Sequence, residues 1–201
     1  MMYIVLGILL LGGLVFYLTS HKGKTNLNDT QAISKQDTTN QKVYHTKANT
    51  FGDLRGMAFS VTPDQLQLSL PSGKTVVYGV LMDWGIDTST ATIVSYQTGD
   101  ASLYLSSGGG VIGGGQHQNV TSAAKHLINL AQSYLDKAEI SETKSLPKQD
   151  EVNFYLLTNK GTYVGRDIMK NFDNNTSAWL PLFEQANKVL TELRLTTEDE
   201  N

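Results

Sequence analysis

The sequence predicts an α+β domain behind a membrane anchor: a mostly antiparallel sheet of about five strands with two long amphipathic helices packed on it, preceded by an N-terminal transmembrane helix. Three features point there. Strand-like segments meet across short, glycine-bearing turns, as antiparallel hairpins do. Two later segments repeat apolar residues every three to four positions, the stripe of a helix lying on a core. And the chain opens on a long run, Met1 to Leu18, with no charged side chain.

That opening run would extend ~27 Å as a helix, just enough for a bilayer core. Tyr3 and Tyr17 stand near its ends, where interfacial aromatics sit. A cleavable signal peptide is the competing reading. No Lys or Arg precedes the run and no A-x-A-like site follows it, so an uncleaved signal-anchor over residues 1–19 is expected. Lys22 and Lys24 follow it, and the positive-inside rule then puts the rest of the chain in the cytoplasm, with an extracytoplasmic domain as the alternative.

Residues 20–50 carry five lysines, two aspartates and few apolar side chains. They read as a flexible polar linker, because such a segment cannot bury enough surface to order itself. The linker is therefore +3, and a chain of net charge −3 leaves −6 on residues 51–201, read as one globular domain. An acidic domain without a basic, aromatic-interleaved stripe argues against nucleic acid. The absence of cysteine removes disulfides, thiolate metal ligands, cysteine nucleophiles and a lipidated cysteine.

Within the domain, residues 57–61 suggest a short strand. Thr62-Pro63-Asp64-Gln65 suggests the start of a brief helix, with a threonine cap, proline at the first helical position and glutamine closing a capping box. Residues 75–83, apolar on both faces, predict a central covered strand. Residues 91–97 and 101–105 predict a hairpin about Thr98-Gly99-Asp100. A helix is predicted from Val120 to Ala138, capped by Asn119 or Thr121. A polar loop is expected over 140–150. Residues 152–158 and 162–164 flank Asn159-Lys160-Gly161 as a second hairpin, and a last helix runs from Ser177 to Leu195.

The candidate functional stretch is Ser106, Ser107, Gly108, Gly109, Gly110, Gly113, Gly114, Gly115, His117 and Asn119, between the strand expected over 101–105 and the first long helix. Six glycines in eight residues exceed what one turn needs. Such a run turns tightly, stays mobile, or lets a ligand or partner backbone approach closely. Its exit at a helix N-terminus offers free N–H groups to an anion. The phosphate-loop pattern fails, because Gln116-His117 stand where Lys and Ser/Thr are needed. The spacing of Gly108, Gly110 and Gly113 meets the dinucleotide fingerprint only as any glycine run would.

Catalytic constellations are sparse. His117 is the one loop residue suited to acid–base work. Asp83 and Asp87 offer a carboxylate pair at a strand end, and Ser106 and Ser107 lack a nucleophile elbow. The four histidines show no metal-ligand spacing, so neither metal nor cofactor is expected. His126 reads as a solvated helix residue, and Trp84 and Trp179 as core or interface residues. No catalytic residue is assigned, and an enzyme is the less favoured class. The expectation is a bacterial-type, single-pass, membrane-tethered, non-catalytic binding or adaptor domain that engages a protein partner near the membrane. The alternative is a small-ligand or anion-binding sensor domain using loop 106–119.

Overall fold

A computed structural model describes residues 50–198. The expected anchor over 1–19 and the linker up to residue 49 lie outside the described residues. Among the described residues no helix is long and apolar enough to cross a membrane.

The chain runs α1 (Phe51–Ser60), β1 (Val77–Ile86), β2 (Ser89–Tyr96), β3 (Ala101–Leu105), β4 (Gly110–Val111), α2 (Gln118–Gln132), β5 (Glu139–Ile140), β6 (Glu151–Thr158), β7 (Gly161–Ile168), α3 (Met169–Asp173) and α4 (Leu180–Glu198). The strands form one antiparallel sheet in the order β4-β3-β2-β1-β6-β7-β5. The fold is α+β, as the sequence predicts, but the sheet has seven strands instead of about five. The two extra strands are the two-residue edges β4 and β5, too short to show a period of their own.

β1 lies mid-sheet and is buried almost throughout, which is why its sequence is apolar on both faces. Its register slips between Val77 and Gly79. After this bulge Val80, Met82 and Trp84 join Val77 on one face, while Tyr78, Leu81 and Asp83 serve the other. β2 and β3 form the expected hairpin, Ala91 opposite Leu105, and Gly99 in its turn has φ of +100°. β6 and β7 form the second hairpin, with Gly161 at φ +124°.

One face carries α2 and α4. α2 buries Val120, Ala123, Ala124, Leu127, Ile128 and Ala131. α4 buries Leu182, Phe183, Ala186, Val189, Leu190 and Leu193. Each large buried side chain contributes roughly 1.5–3 kcal/mol, so these two stripes hold the layer. Gln185 Nε2 donates to Ala123 O at 3.0 Å across the helix pair. Trp179 stacks on Phe154 with centroids 5.4 Å apart. A Cβ on Gly165 would overlap that indole. Trp84 packs edge-on to Phe183, so both tryptophans are core, as expected.

The other face carries α1 and the segment after it, with Phe59, Leu66, Leu68 and Leu70 over Tyr78, Leu81, Tyr96, Tyr155 and Leu157. Residues 57–60 are not a strand but the end of α1, and Val61 follows as its extended C-cap. Thr50 and Asp53 make a reciprocal capping box that starts the helix. That bond, from the Thr50 side chain and backbone, also holds the Asp53 carboxyl below its ordinary range. Thr50 is thus the N-cap of α1.

The Thr62–Gln65 capping bonds form (Thr62 N to Gln65 Oε1, 2.9 Å), yet only one turn follows, because Gln67 enters the left-handed region at φ +55°. α2 begins two residues earlier than expected and stops at Gln132. There Ser133 and Tyr134 take tighter bonds to Leu130 and Ala131, and Leu135–Lys137 continue as a 3-10 turn. Its cap is neither Asn119 nor Thr121 but His117, without a side-chain cap bond. The loop expected over 140–150 gives its first residue to β5. α4 starts and ends three residues later than predicted, after a short α3 that buries Phe172.

Candidate functional site

The glycine run closes one edge of the sheet. Ser106 extends the β2–β3 ladder: its N–H donates to Thr90 O at 2.9 Å and its Oγ accepts from Thr90 N at 2.7 Å. Ser107 to Gly110 are exposed. Gly108, Gly109, Gly110 and Gly113 have φ of +104°, +84°, +149° and +77°. L side chains avoid that region, so these four glycines are required by backbone shape. Leu105 N donates to Gly109 O at 3.2 Å, and Val111 pairs with Leu103. Alternation along an antiparallel pair then turns the backbone groups of Gly110 and Ile112 away from β3. The Ile112 side chain is 66% exposed.

The last two glycines serve packing. A Cβ on buried Gly114 would meet Leu193 and Val120, and one on Gly115 would run into Asp100. Thr121 Oγ1 donates to Gly115 O at 2.9 Å and fixes the entry to α2.

Beyond them a cleft of about 490 Å³ opens at the N-terminus of α2. Gln116, His117, Gln118, Asn119 and Val120 line one wall, and Glu192, Leu195 and Thr196 of α4 line the other. The helix dipole there favours an anion, whereas the Glu192 carboxylate opposes one; Lys188, one turn away, lies 3.9 Å from it. The ten candidate residues therefore divide. Ser106 to Gly113 shape an exposed edge, Gly114 and Gly115 are packing positions, and only His117 and Asn119 reach the cleft. His126 is exposed on α2, as expected.

The carboxylate pair does not form. Asp87 is exposed in the β1–β2 turn at φ +50°, whereas Asp83 lies inside the sheet, opposite Thr92 and Asn153. Asp83 is fully buried and takes a forked contact from Arg55 of α1. Arg55 Nε reaches its two oxygens at 3.0 and 3.2 Å. Thr92 Oγ1 also donates to Asp83, and Arg55 Nη1 donates to Lys144 O at 2.9 Å. The guanidinium lies 4.7 Å from the Phe59 ring centroid. Burial raises the Asp83 pKa above its ordinary 3.8, against the pull of Arg55 and Thr92. Beside it Asn153 donates to Ser145 O at 3.3 Å, while its Oδ1 has no hydrogen-bond partner.

This pair escapes local sequence reading because its partners are 28 residues apart. Two signals were available: a carboxylate inside an apolar strand, and only three arginines in the chain, Arg55, Arg166 and Arg194. Among the described residues no cluster of His, Asp and Glu could hold a metal. Comparison with protein-family models, with curated proteins and with solved structures gives no match.

Proposed function

We propose that this chain is a membrane-tethered, non-catalytic binding domain whose glycine-run edge pairs with an extended segment of a protein partner near the membrane. The observation that supports this most is the outward backbone of Gly110 and Ile112, the latter 66% exposed immediately after the two-residue edge strand Gly110–Val111. Sheet edges with unpaired N–H and C=O groups are templates for added strands. The glycines keep neighbouring side chains out of the way of a second backbone.

A small-ligand sensor is the second reading, favoured by the cleft beside His117 and Asn119. Ile112→Lys separates the two. A lysine on the edge discourages strand addition without touching the cleft. In the full chain extracted from its membrane, the edge reading expects Ile112→Lys to abolish partner co-purification at an unchanged melting temperature, with His117→Ala retaining it. Retention by Ile112→Lys and loss by His117→Ala would replace the edge by the cleft.

A further inference from the structure

We propose that α1 is a releasable strap: it opens from the sheet as a unit while the remainder of the domain stays folded, and when closed it covers a tyrosine-lined face. Its intrinsic helicity is low. It has ten residues, and isolated helices shorter than about 12–15 residues are marginal in water. It contains Gly52 and Gly56, and packing requires neither. A Cβ at Gly56 would meet nothing within 4 Å, and one at Gly52 would only touch Thr50 Oγ1 at 3.9 Å. Each glycine weakens the helix about fivefold relative to alanine.

The apolar hold rests on a few side chains. Ala58 and Phe59 are buried and Phe51 and Leu54 pack half-buried against the same cluster, whereas Met57 is 48% exposed. Polar bonds supply the rest: Arg55 to Asp83 and Lys144 O, Tyr96 Oη to Ala58 O at 2.8 Å, and Tyr78 Oη to Val61 O at 2.9 Å. The sheet ladder does not pass through α1, so its release breaks no strand pairing. Beneath it lie Tyr78, Leu81, Tyr96, Tyr155 and the Asp83 carboxylate. Aromatic surfaces with one buried charge favour an arginine-bearing partner, and Arg55 fills that place within the chain. The chain enters α1 at Thr50, so a displacement of the segment before it reaches α1 first.

Hydrogen exchange read by mass spectrometry on the full chain in detergent micelles tests this. Amides of residues 54–60 should exchange through openings far more frequent than those of β1 and β6. Gly52→Ala with Gly56→Ala should slow exchange in α1 by about 25-fold. Arg55→Lys, which loses the fork, should speed it about tenfold. Because α1 is unwound both in the opened and in the globally unfolded domain, β1 and β6 should shift by the same factors where they exchange by global unfolding. The strap is overturned if α1 exchanges as slowly as β1 and β6, or if its exchange rises as steeply with added urea as theirs, since it would then open only with the whole domain.

Discussion

Removing one member of the Arg55–Asp83 pair should cost far more than removing both. Arg55→Met leaves a carboxylate that is fully buried with only Thr92 donating to it. Asp83→Leu leaves a guanidinium with Lys144 O alone. A buried charge stripped of its partner costs about 3–5 kcal/mol. For a domain of this size each single change should lower the melting temperature by roughly 6–20 °C. The double replacement removes both desolvation costs and refills the volume with apolar atoms, so it should return to within about 1 kcal/mol of the parent or exceed it.

The pKa of Asp83 points the same way. It is raised by burial, so as pH falls through that value the native state takes up the proton before the unfolded chain does. This group's contribution is therefore fully present below about 3.9 and lost as pH rises through the native value. The double variant lacks this group, so its stability should vary less with pH. The assay is urea unfolding followed by the fluorescence of Trp84 and Trp179, both buried. If each single change costs under about 1 kcal/mol, or if the double costs the sum of the two, the pair is not the isolated, mutually dependent unit described.

Other perturbations sort the glycines by cause. Gly165→Ala should cost about 3 kcal/mol or more by melting temperature, because its Cβ would strike the rigid Trp179 indole. Gly110→Ala, whose Cβ would overlap the Leu103 carbonyl, should cost roughly 1–3 kcal/mol. Gly113→Ala, in open space at φ +77°, should cost about 1 kcal/mol. A reversed order would refute the contact geometry of the edge. A fragment beginning at Thr50 should melt roughly 2–4 °C above one beginning at Phe51, since the shorter one loses the capping box. Equal values would mean that the cap contributes nothing.

What the sequence made legible follows range of interaction. The two helical stripes and both hairpins are local periodicities, and they stand near expectation, except that α2 ends at Gln132 and not at Ala138. α1 is hidden in the sequence because Phe59 and Val61 favour strands and Gly52 and Gly56 weaken the helical pattern. The Thr50-x-x-Asp53 box was its one local sign. α3 has five residues, too few to show a stripe. The glycine run was found, but not its division: which glycines bend the chain and which admit Leu193 or Asp100 depends on contacts made by distant segments.

The proposed partner edge is tested most directly by a photo-reactive residue placed at Ile112 in the full chain, in whole cells, with the same residue at exposed His126 as the reference position. The account predicts a discrete adduct of one added mass from position 112, absent at position 126, and absent again when Gly110→Ala disrupts β4. No adduct from position 112, or an equal one from position 126, would contradict it.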